Sequence, residues 1–219
     1  MFFANAKEEN QRKQVVSNLV TESKTTGGYY FLLGISAIIA SLGLLTNNST
    51  AILGAMLITP LLTPILALGL GVTTLSGEAI FRSSIGIINS IATIVFISFI
   101  IGLSTSSDHY RTPEVLLKGS YSVAYLVIAF FSGLGATYAW IEHKISSALT
   151  GVAVAVSLLP PLSVTGISIA QADYILFIGS LRVFSANFVG IVMASTLMFT
   201  IFNFTKLKGF EERKIKYEE

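Results

Sequence analysis

From Tyr29 onward the chain is a series of long apolar runs separated by short polar turns. A membrane-crossing helix needs ~20 mostly apolar residues. Six runs are candidates: Tyr29–Leu45, Ala51–Val72, Ser83–Leu103, Tyr121–Ile141, Ser146–Ala170 and Val183–Phe204. The stretch Tyr174–Leu181 is apolar but too short to cross, and Arg182 separates it from the last run, so it reads as an interfacial or re-entrant turn. Ahead of the first run, Val15, Val16, Leu19 and Val20 form a thin apolar stripe at helical spacing. That spacing predicts a short helix lying on the membrane surface or against the bundle.

One of these runs occurs twice. Residues 49–69 and 146–166 align without a gap at an offset of 97, with seven identities in 21 positions, Pro64/Pro161 and Gly69/Gly166 among them. The copies are the second and fifth spans, so the repeat unit is three spans. An odd number of crossings per unit forces the two copies into opposite orientations, an inverted-topology repeat. Arg82 with Asn89 and Arg182 with Asn187 extend the likeness to the third and sixth spans, at offsets of 100 and 98. The chain then divides into a polar segment 1–28, a first three-span repeat 29–103, an extracytoplasmic loop 104–120, a second repeat 121–204 and a charged cytoplasmic tail 205–219.

Both copies are interrupted by proline: Pro60 and Pro64 in one, Pro160 and Pro161 in the other. Proline lacks an amide N–H and its ring clashes with the carbonyl four residues back. Hydrocarbon cannot satisfy the freed carbonyl, so it must face protein, water or a ligand. Proline suits the first helical turn, so each span is expected to split into two half-helices with proline opening the second. Thr59 and Thr63 lie at one break, and Ser157, Ser163 and Thr165 at the other. These hydroxyls either line a path or re-satisfy the backbone locally. Asn89 and Asn187 are the strongest polar groups expected inside spans, as path residues or as interhelical hydrogen-bond partners. Asn47 and Asn48 either form a mouth or cap the second span. Arg82 and Arg182 read as anion-attracting entrances or as snorkelling anchors.

Composition agrees with the pattern and narrows the chemistry. Mean hydropathy is +0.73, and charged residues make up 12% of the 219-residue chain. A soluble domain carries roughly 25%. There is no cysteine, hence no thiolate metal site or disulfide. No Asp, Glu, Lys or His falls inside a proposed span, which disfavours proton coupling through a buried carboxylate. His109 and His143 are isolated, and no phosphate loop, zinc-protease helix or nucleophile elbow is present, so neither an enzyme nor a cofactor or metal is expected. The opening residues lack the order of a signal peptide. With six spans, 11 of the 14 Lys and Arg fall on the side holding both termini, which the positive-inside rule makes cytoplasmic.

At these same residues the chain resembles a known family. The runs Asn47-Asn48 through Gly54-Ala55-Met56-Leu57-Ile58, Pro60-Leu61 and Pro64-Ile65, and Gly151-Val152-Ala153-Val154-Ala155 through Leu158-Leu159-Pro160-Pro161-Leu162, are similar to those of the domain-of-unknown-function 389 family; Asn187 fits as well. The resemblance covers residues 29–204. It implies a bacterial or archaeal membrane protein, and it names no substrate.

The sequence therefore predicts an all-α polytopic integral membrane protein of two inverted three-span repeats, with proline-broken second and fifth spans meeting near the bilayer midplane. The predicted function is a channel or secondary transporter for a small anion or neutral solute. The alternative is a non-transporting scaffold or sensor. Expected partners are the lipid bilayer, a small solute or ion, and further copies of the chain, packed through small-residue faces such as Gly34/Ser41 and Ser132 to Ala136; nucleic acid is not expected.

Overall fold

A computed structural model describes residues 2–106, 110–119, 123–142 and 158–218. All regular structure among them is helical: α1 (Phe2–Glu22), α2 (Gly27–Leu45), α3 (Ser49–Ile58), α4 (Leu62–Thr74), α5 (Gly77–Leu103), α6 (Pro113–Gly119), α7 (Val123–Ile141), α8 (Leu159–Ala170), α9 (Tyr174–Ile201), a short 3-10 turn (Phe204–Leu207) and α10 (Lys208–Glu218). By length and apolar composition α2, α5 and α9 are candidate membrane spans, and α3 with α4 makes a fourth if that pair, bent by 52°, counts as one. Leu126–Ile141 of α7 and all of α8 are shorter apolar helices. Residues 143–157, which include the first half of the fifth predicted span, lie outside the described residues.

Side-chain caps start the long helices. Thr26 accepts from the Tyr29 amide, Asn48 from Ala51, Ser76 from Ala79 and Asp173 from Leu176. Each satisfies an amide that the first helical turn leaves without a partner.

Tyr174–Leu181 is not a separate turn; it is the first quarter of the 28-residue helix α9. Arg182 is exposed, so its charge never enters the bundle and gives the helix no reason to stop there. This correction brings the two halves into register. Helices α4, α5 and α8, α9 correspond at the same offset of 97, and so does the turn between them. Leu75 (φ 57°) and Ala172 (φ 52°) both adopt the left-handed conformation. The Ser76 amide reaches Gly71 O at 3.0 Å, and its equivalent Asp173 reaches Ser168 O at 2.9 Å. At this offset Arg82 falls on Gly179 and Asn89 on Ala186, so the arginines and asparagines paired in the sequence are not equivalent positions.

The two equivalent turns sit at opposite ends of α5. At the first, Thr74 Oγ1 donates to Glu211 Oε2 (2.5 Å) and Ser76 Oγ to Glu212 Oε1 (3.3 Å), tying the turn to α10. At the second, Gln171 Nε2 donates to the Gly102 and Thr105 carbonyls at 2.8 and 2.9 Å, beyond the last turns of α5. A 27-residue helix is ~40 Å long, which sets the separation.

Packing exchanges between the halves. A Cβ on Gly69 of α4 would overlap the Ser195 hydroxyl of α9 and come within 3.3 Å of the Thr196 amide. A Cβ on Gly166 of α8 would meet Val95 O at 2.5 Å and Ser98 Cβ at 2.6 Å on α5. Both the glycines and the serines correspond at an offset of 97. Such contacts let helices approach to backbone distance, where dispersion and buried hydroxyl bonds hold them. Ser98 also accepts from Ser41 Oγ at 2.8 Å, and Tyr29 Oη is 2.8 Å from Ser90 Oγ, binding α2 to α5.

The stripe Val15, Val16, Leu19 and Val20 is buried, and α1 packs against α4, α7 and α10. Arg12 donates to Phe202 O at the C-terminus of α9, where a cation is favoured by the helix dipole.

Candidate functional site

The chain is broken at Thr59–Leu61, and the consequences follow from proline chemistry. The Thr59 amide still reaches Ala55 O at 3.1 Å, but Pro60 has no amide to offer Met56 O, and α3 ends. Pro64 in turn cannot bond to Pro60 O. That carbonyl is taken by Thr63 Oγ1 at 3.1 Å, a hydroxyl also 3.3 Å from Glu22 O at the end of α1. In the second copy, Pro160 and Pro161 occupy the first turn of α8, as their missing amides allow. Thr165 Oγ1 donates to Pro161 O at 2.9 Å and pairs with Ser180 Oγ at the same distance. Thr63 thus re-satisfies a carbonyl freed by Pro64 and ties its break to α1, whereas Thr165 ties α8 to α9.

Thr59 and Ser163 behave differently. Their hydroxyl oxygens are buried and have no hydrogen-bond partner among the described residues. Ser163 belongs to a run in which every residue from Leu158 to Ser168 is buried, so α8 is the most enclosed helix described. Buried apolar residues flank each hydroxyl in sequence: Leu61 and Ile65 after Thr59, and Leu158, Leu159 and Leu162 before Ser163. Leaving a hydroxyl unpaired there costs roughly 1–3 kcal/mol, against a hydrogen bond gained if a polar guest arrives.

The remaining candidates separate. Asn187 is buried on α9 and already has a partner. Asn89 is exposed on α5. Asn48 caps α3, and Asn47 Oδ1 accepts from the Glu114 amide of α6 at 3.2 Å. Ser49 also bonds Glu114, so this loop is pinned under α6. Arg182 stands on the exposed face of α9, whereas Arg82 faces a small cavity shared with Ser23, Ser83 and Glu211, with one guanidinium nitrogen buried and unpartnered. Ser157 lies outside the described residues.

The dense glycines flanking the breaks, Gly69 and Gly166 among them, point to close helix approach in the sequence; Ser98 and Ser195, which they meet, and Glu211 were passed over. The serines carried a signal, identity at an offset of 97 inside the third and sixth spans, hidden by the false break at Arg182. Glu211 carried none: it is one of four acids in a charged tail, and only docking buries it to 1% exposure.

With this geometry in hand, comparison with known proteins places the chain. The family described as "Domain of unknown function (DUF389)" matches residues 56–193, more than half its length. The chain belongs to that family. It is also similar to an uncharacterised protein of Methanocaldococcus jannaschii, 25% identical over 187 residues that make up 84% of this chain and 57% of the relative. The chain thus spans little more than half the length of the relative it matches. No solved structure matches it. The family match covers α4, α5 and α8, both prolines of the second break, and most of α9.

Proposed function

We propose that this chain is a membrane channel or secondary transporter for a small anion or neutral solute, with the path running past the two proline breaks. It consists of six spans in two inverted three-span repeats, with both termini cytoplasmic. The repeat is supported by equivalent turns at opposite ends of α5 and by the exchanged Gly69–Ser195 and Gly166–Ser98 contacts. Broken helices of this kind bring backbone dipoles and freed carbonyls to a solute at membrane depth.

The observation that carries the reading is the pair of buried, unpartnered hydroxyls, Thr59 Oγ1 and Ser163 Oγ, one at each break. Serine and threonine in helices ordinarily bond back to a carbonyl three or four residues earlier. Thr63 and Thr165 do so beside them. Hydroxyls left free inside an apolar shell suit a small guest that needs one or two hydrogen bonds and carries little charge. The leucines around the breaks imply that the described conformation is closed, and that the halves shift to open it.

Those same leucines favour a second reading, a non-transporting scaffold whose kinks serve packing and whose docked ends, α1 and α10, bind partners. Purified protein in liposomes separates the two. A transporter gives flux for at least one member of a panel of inorganic anions and small neutral metabolites, reduced by Ser163→Val. No flux across the panel, with correctly inserted protein, leaves the scaffold.

A further inference from the structure

Arg182 is used neither at the breaks nor in the packing of the halves. Its guanidinium has no hydrogen bond or ion pair among the described residues. It borders an open groove of about 570 Å³ between α7 and α9, walled by Leu126, Ile178, Leu181, Ser185 and Val189. The position is eight residues into α9, hence ~12 Å along the helix from Tyr174. Tyr174 and Ile175 are 74% and 83% exposed at that end, and an exposed tyrosine suits the headgroup level. An arginine at this depth is costly unless it meets an anion, and its long side chain, tilted toward the helix N-terminus, snorkels part of the way to the interface.

Among the described residues the protein supplies no free anion at that end. Asp173, the cap of α9, is paired with Arg111, and Glu114 of α6 accepts from Ser49. A second copy of this chain therefore has no unengaged carboxylate among the described residues to place against Arg182. A lipid phosphate is the anion that membranes hold there. We propose that the groove is a binding site for one anionic phospholipid. An acyl chain lies along the Leu126–Ile178–Val189 wall, and the phosphate takes the Arg182 guanidinium with the Ser185 hydroxyl as a second donor.

This inference rests on the membrane-spanning reading and is independent of transport. The test is native mass spectrometry of the full chain equilibrated with an equal mixture of phosphatidylglycerol and phosphatidylcholine. Wild type should retain one phosphatidylglycerol per chain with about tenfold preference. R182K should keep most of that preference, R182Q should lose it, and Val189→Trp, which fills the groove, should release both lipids. Equal retention of the two lipids by wild type, or an R182Q protein that behaves as wild type, overturns the site. So does efficient intermolecular cross-linking of Ser185→Cys, because a second copy would then cover the groove. Liposome flotation after carbonate washing keeps the readings apart. Protein that fails to float contradicts the membrane reading itself, whereas floating protein with no lipid preference contradicts only the lipid site.

Discussion

Gly69 lies so close to Ser195 that a methyl group on its α-carbon would overlap the serine hydroxyl, and 97 residues later Gly166 faces Ser98, whose Cβ such a methyl group would meet at 2.6 Å. Helix α4 therefore packs on α9, and α8 packs on α5.

The two glycines differ in what they would strike, and substitution should reveal it. Gly69→Ala meets a side-chain hydroxyl that can be removed, so its destabilisation, about 1–3 kcal/mol, should be largely relieved by Ser195→Gly. Gly166→Ala also meets Val95 O at 2.5 Å and the Phe99 amide at 2.9 Å, so Ser98→Gly should relieve it little. Thermal unfolding in detergent of the two double-mutant cycles measures the difference. Gly54, with nothing within 4 Å of its Cβ position, is the control.

Docking of the tail should depend on pH. Burial raises the Glu211 carboxyl from 4.5 to about 7, opposed by the Thr74 hydrogen bond and reinforced by the nearby Glu212 charge; the Arg82 side chain shares the same small cavity. A raised carboxyl pKa means that the docked tail holds its proton more tightly than the free tail. Docking is then strongest below pH 4.5 and weakens as pH rises to about 7. Glu211→Gln should abolish this dependence while keeping a hydrogen bond to Thr74. Amide exchange in α10 at pH 5 and pH 8 reads it directly, with wild type more protected at pH 5.

The opposite sign is expected at the other end. Burial raises the Asp173 carboxyl, but the Leu176 amide, the Tyr110 hydroxyl and the Arg111 guanidinium outweigh it and hold the pKa below the ordinary 3.8. This contribution is present above that value and is lost only on strong acidification. Asp173→Ala removes both the cap of α9 and the partner of Arg111, and should cost roughly 1–2 kcal/mol at neutral pH. Arg111 is more than half exposed, so most of the loss should come from the cap. Comparing Asp173→Ala with Arg111→Ala by thermal melting apportions it.

The hydroxyls at the second break should separate by role. Thr165→Val breaks bonds to Pro161 and Ser180 and should destabilise by about 1 kcal/mol or more. Ser163→Ala removes a buried group that bonds to nothing, so it should leave stability unchanged or slightly raised while lowering flux. A Ser163→Ala protein that melts several degrees lower would instead make Ser163 structural.

Apolar runs and prolines made the described helices and the break after α3 legible, because span length and the missing proline amide act locally. The end of α3 at Ile58 and the start of α8 at Leu159 lie within two residues of a proline. The beginning of α9 was misread because a charge next to an apolar run looks like a boundary when the exposed face it occupies is unknown. Which hydroxyls stay free was not legible. Thr59, Thr63, Ser163 and Thr165 are alike in sequence, and only the packed backbone decides which of them finds a carbonyl.

Opposed orientation of the two halves is the central claim, and the absence of cysteine makes it directly measurable. Leu75 and Ala172 are equivalent, exposed turn positions. Single cysteines there, in cells treated with a membrane-impermeant maleimide, report the side on which each turn lies. The account predicts that Ala172→Cys is labelled from outside and Leu75→Cys only after permeabilisation. Labelling of both from the same side would contradict it.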